Sequence, residues 1–158
     1  MFLISDDRAL FCKGLLAIIK AQKTVILPHT NAPGLLEDLL QEGDIILSDQ
    51  ENLKTIPEHF IDLKNTAKKG NSSCTPIDRN AEIIFYTSGS TGEPKAIHKK
   101  LLQLENEVVE LQKTWALKAT PNSTVFSMVP HHYLYGFLFS LLWPLCAKSR
   151  NSPGKKRF

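Results

Sequence analysis

The chain has few cysteines, and they follow no known pattern. Its three cysteines are Cys12, Cys74 and Cys146, and they lie far apart. A disulfide framework uses an even set of cysteines, and most structural zinc sites use Cys-x-x-Cys pairs. The sequence therefore predicts neither a disulfide-stabilised secreted domain nor a zinc site, and it indicates a reducing, cytoplasmic setting.

Long hydrophobic runs are also absent. The most apolar stretch, residues 133–147, contains Pro144. It is shorter than the roughly 20 residues that span a bilayer. The first segment carries Asp6, Asp7 and Arg8, and no basic region precedes an apolar one, which is not typical of a signal peptide. We therefore expect no membrane span.

An excess of positive charge is found only at the end of the chain. The net charge is +3, yet residues 148–158 contain five basic residues and no acidic one, which leaves 14 basic and 16 acidic residues in 1–147. The slightly acidic body argues against a nucleic-acid-binding face. We predict a folded domain over residues 1–147 and a basic, disordered tail over 148–158.

Alternating helical and strand patterns predict the α/β class. Apolar residues at helical spacing alternate with short β-branched runs, which is typical of parallel βαβ units. Residues 62–80 lose this periodicity and read as a loop. The expected helices cover residues 11–19, 33–41, 101–115 and 133–147, and the expected strands cover 24–27, 44–48, 83–86, 95–99 and 124–129.

The most informative segment lies directly after the strand at residues 83–86. Short hydroxyl side chains, bare glycine backbone and a compact lysine charge suit a polyphosphate. The spacing is not that of a Walker A motif, and a Ser/Gly linker is the alternative interpretation. A linker, however, has no reason to begin at the end of an apolar strand. The candidate residues are Thr87, Ser88, Gly89, Ser90, Thr91, Gly92 and Lys95.

A second cluster of polar side chains runs from Pro130 to Gly136. It places His131 and His132 between Pro130 and two tyrosines at the end of a predicted strand. Open α/β sheets bind ligands at the carboxyl ends of their strands. The alternative is a set of satisfied, half-buried polar residues at the entry to a helix. Zinc is disfavoured, because the two histidines are adjacent and no third ligand has suitable spacing.

The ordered string Tyr-Thr-Ser-Gly-Ser-Thr-Gly-x-Pro-Lys at residues 86–95 resembles the signature loop of the adenylate-forming superfamily. That superfamily includes acyl-CoA synthetases, aryl-CoA ligases, luciferases and peptide-synthetase adenylation domains. Its loop holds the β- and γ-phosphates of ATP while a carboxylate attacks the α-phosphorus. The resemblance implies that residues 87–92 and Lys95 bind ATP and that Lys95 acts in catalysis. Ala96 stands where many members have a second glycine.

The second cluster extends the resemblance. Many adenylate-forming enzymes have Pro-x-x-His-x-x-Gly beside the reacting carboxylate, and alignment on Pro130 and Gly136 puts Tyr133 at the histidine position. The resemblance implies that His131, Tyr133 and Gly136 contact substrate. Because a phenol does not exchange a proton near neutral pH as an imidazole does, we expect Tyr133 to shape the pocket rather than act as an acid or base.

The resemblance implies an ATP-dependent, AMP-forming ligase that joins a fatty or aryl acid to CoA or an acyl-carrier protein, with Mg²⁺ accompanying ATP and a place in fatty-acid metabolism. It also implies the large N-terminal domain of that family, a mixed sheet flanked by helices. The family's later adenine, ribose and lysine motifs do not occur after residue 136, which predicts a truncated fragment, inactive alone. The alternatives are a non-catalytic remnant that binds polyphosphate or a partner, and a linker loop with a basic tail that contacts membrane or RNA.

Overall fold

The computed structural model describes residues 1–56, 60–65, 76–87, 94–115 and 126–150. Its strands are β1 (Phe2–Ile4), β2 (Val25–Leu27), β3 (Ile46–Ser48), β4 (Phe60–Asp62), β5 (Glu82–Thr87) and β6 (Lys95–Lys100). Its helices are α1 (Arg8–Lys20), α2 (Pro33–Glu37), α3 (Leu101–Trp115), α4 (Leu134–Gly136) and α5 (Trp143–Arg150). A 3-10 helix covers Glu51–Thr55, and a π-helical segment, Phe137–Leu142, joins α4 to α5.

The six strands form one mixed sheet in the order β4-β3-β1-β2-β5-β6. The first five are parallel, and β6 is antiparallel to β5. This confirms the predicted α/β class with a mixed sheet flanked by helices. Since β2 and β3 lie on opposite sides of β1, the direction of the chain across the sheet reverses beside β1. Such a reversal opens a crevice at the carboxyl ends of the strands.

Side chains alternate between two cores on the two faces of the sheet, as the period of a strand requires. Leu3 packs with α1, α3 and the C-terminal helices, whereas Phe2 and Ile4 pack with α2 and the 3-10 helix. The α1 helix begins where the Asp7 carboxylate accepts hydrogen bonds from the backbone N–H groups of Ala9 and Leu10. The β1 strand is therefore covered on both faces.

Two strands were not predicted, and one predicted strand is wrong in its described part. β1 and β4 have three residues each, as β2 and β3 do, but neither follows a predicted helix, so the alternation of helices and strands did not mark them. Residues 126–129 form no strand, and Phe126 and Met128 are fully exposed. The Ser127 hydroxyl donates to the Val129 carbonyl oxygen (3.0 Å) and accepts from the Val129 N–H (3.2 Å). These local bonds occupy backbone groups that a strand needs for pairing.

The C-terminal helical run is fixed to the sheet by Phe137. Its ring meets Phe85 of β5 edge to face at 5.4 Å and Phe11 of α1 at 6.4 Å. All three side chains are almost completely buried. An aromatic pair of this kind contributes about 0.5–1.5 kcal/mol beyond its buried area.

The same helical run adopts π-helical geometry before Pro144. A proline has no N–H, and its ring clashes with the carbonyl oxygen four residues earlier, here that of Ser140. The π-helical segment relieves this clash. The Ser140 hydroxyl donates to the Gly136 carbonyl oxygen at 2.6 Å, which satisfies a buried hydroxyl. Among the described helices, none has the length and apolar character needed to cross a bilayer. The predicted boundary at residue 147 stays a prediction, and residues 151–158 lie outside the described residues.

Gly136, a predicted substrate-binding residue, is buried at the entry to this run. A Cβ atom built on it would overlap the carbonyl oxygen of Pro130 and lie 3.2 Å from that of Val129. The close approach of two backbone segments therefore explains this glycine. Its absent side chain lets the turn at residues 130–133 pack under the helix.

We expect Gly136→Ala to lower the free energy of unfolding by about 1–3 kcal/mol or more, because overpacking against a backbone carbonyl forces the main chain to shift. Gly34→Ala is the matched control, since no atom lies within 4 Å of a Cβ at that helical position. Urea unfolding followed by circular dichroism measures both variants. If the two variants are equally stable, the Pro130 carbonyl moves away from the added methyl group without a measurable loss of stability.

Candidate functional site

The two ends of the predicted phosphate loop lie side by side. The pairing of β5 with β6 extends to Thr87 opposite Lys95, and the Thr87 hydroxyl donates to the Lys95 carbonyl oxygen at 3.3 Å. Lys95 is exposed at the carboxyl end of β5. The loop between them therefore starts and ends at fixed points. The other predicted phosphate ligands, Ser88, Gly89, Ser90, Thr91 and Gly92, lie outside the described residues.

A cavity of about 350 Å³ lies at the carboxyl ends of β1, β2 and β3, where the order of the strands reverses. We call it the edge cavity. Segments that follow each of these three strands contribute to its wall, together with the turn that precedes α4. Its lining residues are Leu3, Ile4, Ser5, Asp6, Pro28, His29, Thr30, Asn31, Gln50, Pro130, His132 and Tyr133.

Hydrogen bonds between side chains join the segments around the edge cavity. The Gln50 Nε2 group donates to Asp6 Oδ2 at 2.9 Å, and the Asn31 Nδ2 group donates to Gln50 Oε1 at 3.1 Å. Gln50 thus connects the end of β1 with the loop after β2. The rim of the cavity is fixed by these contacts before any ligand arrives.

Tyr133 lines the edge cavity, as a substrate contact would require. It is the N-cap of α4 and has extended backbone angles, φ −83° and ψ 148°. Its hydroxyl donates to the His29 carbonyl oxygen at 3.3 Å. The phenol therefore bridges the turn before α4 and the end of β2.

His131 was predicted to contact substrate, and that role stays a prediction. It is 6% exposed and does not line the edge cavity. Its Nε2–H donates to the Ser5 carbonyl oxygen at 2.9 Å, and its ring meets Phe11 edge to face at 4.4 Å. These contacts are those that the alternative interpretation expects of a satisfied polar residue at a helix entry. The neighbouring His132 lines the cavity instead.

Both imidazoles are held in their neutral form. Burial is the main cause that lowers the pKa of His131, and the Ser5 hydrogen bond opposes it. Burial also lowers the pKa of His132, with a further reduction from His131. The neutral state agrees with the Nε2 proton of His131, because a carbonyl oxygen only accepts. The edge cavity therefore presents a neutral imidazole at pH 7.

Sequence reasoning missed Asp6, His29, Asn31 and Gln50. Each follows the carboxyl end of a parallel strand by two to four residues. Recognition of β1 would have brought these segments to one edge of the sheet. In the described parts of the chain, no three His, Cys, Asp or Glu side chains are grouped closely enough to hold a metal ion.

Comparisons with known proteins identify the family of the chain and support its fold. The family model described as AMP-binding enzyme matches residues 5–153. The chain belongs to this family. The predicted adenylate-forming superfamily is thereby confirmed.

Sequence relatives of this family member are CoA ligases. A 4-coumarate–CoA ligase of Rhodobacter capsulatus is 39% identical over 64 residues, which is 40% of this chain and 17% of the relative. A mitochondrial malonate–CoA ligase of Mus musculus is 40% identical over 68 residues, 43% of this chain and 11% of the relative. The matched regions thus span less than a fifth of these relatives' length.

The AMP-binding fold is also found in solved structures. The o-succinylbenzoate CoA synthetase of Bacillus subtilis, in complex with the acyl-adenylate intermediate OSB-AMP, aligns with a TM-score of 0.70 at 16% identity. The alignment covers 93% of this chain and 40% of the synthetase chain. At this level of identity the likeness establishes the fold.

The buried imidazoles predict a pH-dependent stability. Because the folded-state pKa of His131 lies below its ordinary value of about 6.5, the unfolded chain binds more protons than the folded chain as pH falls through that value. Titration of His131 should therefore not change the free energy of unfolding near pH 7 and above. That free energy should decrease as the pH falls below about 6.5. Urea unfolding at a series of pH values measures the slope.

His131→Phe keeps the ring contact with Phe11 and removes the titrating group. This variant should be less stable at pH 7 by about 1–3 kcal/mol, since the Ser5 carbonyl oxygen loses its donor, but its stability should fall less steeply with acid. Ile18→Val, a core truncation that removes no proton-binding group, should lower stability and keep the wild-type slope. An unchanged slope in His131→Phe would assign the pH dependence to other groups.

Proposed function

We propose that this chain supplies the ATP-phosphate-binding part of an AMP-forming carboxylate–thiol ligase. Family membership and the CoA-ligase relatives support this proposal. The observation that carries it is the pairing of Thr87 with Lys95, which brings the two ends of a hydroxyl- and glycine-rich sequence together at the carboxyl end of β5. The site then has a place for the phosphates and a neighbouring place for the acid.

In the proposed reaction, a carboxylate oxygen attacks the α-phosphorus of ATP, and the bond from that phosphorus to the bridging oxygen breaks. Pyrophosphate leaves, and an acyl-adenylate forms. A thiol of CoA or an acyl-carrier protein then attacks the acyl carbonyl carbon, and AMP leaves. Lys95 and the loop hydroxyls would stabilise the charge that develops on the leaving pyrophosphate. The cytoplasmic location and the fatty or aryl acid suggested by the sequence belong to this proposal.

Mg²⁺ enters the proposal with ATP as its counterion. When bound, it would neutralise phosphate oxygens and so favour departure of pyrophosphate. Hydroxyl side chains such as that of Thr87, and those predicted from the loop sequence, are oxygen donors suited to this ion or to its water shell. Lys95 would meet the phosphates from the opposite strand.

Replacement of Lys95 tests the assignment of the loop. Lys95→Ala should weaken binding of pyrophosphate and ATP by about 10- to 100-fold, because a hydrogen bond to a charged group contributes about 1.5–3 kcal/mol. The two ligands should compete. Isothermal titration calorimetry measures both affinities.

Lys100→Ala is the control for this substitution, since Lys100 is exposed at the other end of β6. It should bind pyrophosphate as the unchanged chain does. Equal affinity in the Lys95→Ala and unchanged chains would contradict the phosphate role and favour the linker interpretation of the loop.

A polypeptide of the 158 residues alone should not form acyl-adenylate. The adenine, ribose and adenylation-lysine elements that the family resemblance implies do not occur in its sequence after residue 136. Carboxylate-dependent exchange of labelled pyrophosphate into ATP, over a panel of fatty and aryl acids, measures this activity. Exchange above the background of a Lys95→Ala preparation would show that these residues form a complete adenylation site.

A further inference from the structure

The wall of the edge cavity carries many hydrogen-bonding side chains. Eight of its twelve lining residues have polar side chains, and the remaining four are Leu3, Ile4, Pro28 and Pro130. Pockets for apolar ligands are lined mainly by hydrophobic side chains, with few polar groups. The lining therefore suits a ligand that carries several hydrogen-bonding groups.

The volume of the cavity limits the size of a ligand. Its volume of about 350 Å³ is at the lower end of the usual range for ligand pockets. At ~30 Å³ for each water, this is room for about twelve water-sized groups. A molecule of about a dozen non-hydrogen atoms would fill this space.

The edge cavity lies within reach of the proposed phosphate site. Leu27 of β2 is in register with Phe85 of β5, so Pro28, the lining residue that follows β2, lies beside Tyr86. Neighbouring strands are about 4.8 Å apart. Thr87, where the phosphate loop begins, is the next residue along β5. A carboxylate at this side of the cavity would lie near Thr87, where the proposed phosphate loop begins.

The charges around the cavity restrict the ligand further. Asp6 contributes a carboxylate to the wall, and His132 is neutral at pH 7 because burial lowers its pKa. Hydrogen-bond donors remain for a ligand: the Asn31 and Gln50 amides each keep one N–H beyond the bond between cavity residues, and the Thr30 hydroxyl keeps its proton. The lining residues include no lysine or arginine to offset the Asp6 carboxylate, so a second carboxylate on the ligand would be repelled by Asp6.

We infer that the edge cavity binds a short carboxylic acid bearing hydroxyl groups, and that this class of acid is the substrate for adenylation. This inference rests on the proposed function. It departs from the fatty or aryl acid that the sequence suggests, because the lining offers hydrogen bonds where those acids need apolar contact.

Three acids of equal carbon number test the inference: gluconate, hexanoate and adipate. The chain should bind gluconate about tenfold more tightly than hexanoate, since each net hydrogen bond contributes a factor of about two to ten. Adipate should bind more weakly than gluconate because of Asp6. Titrations followed by the imidazole NMR signals of His29 and His132 give the affinities and report the place of binding.

Gln50→Met is the matched variant, because it keeps the length of the side chain and removes its hydrogen bonds. It should weaken gluconate binding by about two- to tenfold and leave hexanoate binding unchanged. Gln41→Met, at an exposed position away from the cavity, should bind gluconate as the unchanged chain does. If Gln50→Met does not unfold cooperatively, His132→Phe replaces it with the same expectation.

The results separate this inference from the proposed function. Tighter binding of hexanoate or adipate than of gluconate overturns the inference, and so does the absence of acid binding in a chain whose pyrophosphate affinity depends on Lys95. Gluconate binding without any Lys95-dependent pyrophosphate binding overturns the loop assignment, and with it the role of the cavity as a substrate site. If Lys95→Ala still binds gluconate but no longer binds pyrophosphate, the inference about the cavity and the assignment of the loop are both supported.

Discussion

The site depends on one contact above the others, the hydrogen bond from His131 to the Ser5 carbonyl oxygen. It joins the turn before α4 to the end of β1 across 126 residues of sequence. The bond lies in a buried place where an unpaired carbonyl would cost about 1–3 kcal/mol. With Tyr133 bound to the His29 carbonyl oxygen, the turn spans the ends of two neighbouring strands and closes one wall of the edge cavity.

Packing in the core also fixes the position of the turn at residues 130–133. Phe137 packs between α1 and β5, and the absence of a side chain at Gly136 allows the Pro130 carbonyl to lie directly under the helix. A helix end that is held in the core on one side and hydrogen-bonded to two strand ends on the other has little freedom. The cavity is therefore preformed, which reduces the entropic cost of binding a small ligand.

The class of the fold and the strands on either side of the proposed phosphate loop could be predicted from the sequence, because β5, β6 and α3 are long enough to show their periodicity. The pairing of Thr87 with Lys95 joins the ends of those two strands. β1 could not be predicted, since its three residues follow no predicted helix, unlike the equally short β2 and β3. Because β1 was not predicted, the sequence did not show which of its polar residues meet at the edge cavity.

The sequence also did not show which of the two adjacent histidines, His131 or His132, lines the cavity. Sequence reasoning marked His131 as a substrate contact and left His132 without a role. Successive side chains in an extended segment point in opposite directions, so one of two neighbours faces the core and the other faces the cavity. Which of them does so is decided by the partner in space. The Ser5 carbonyl and the Phe11 ring hold His131 in the core, and that leaves the neutral imidazole of His132 to line the cavity.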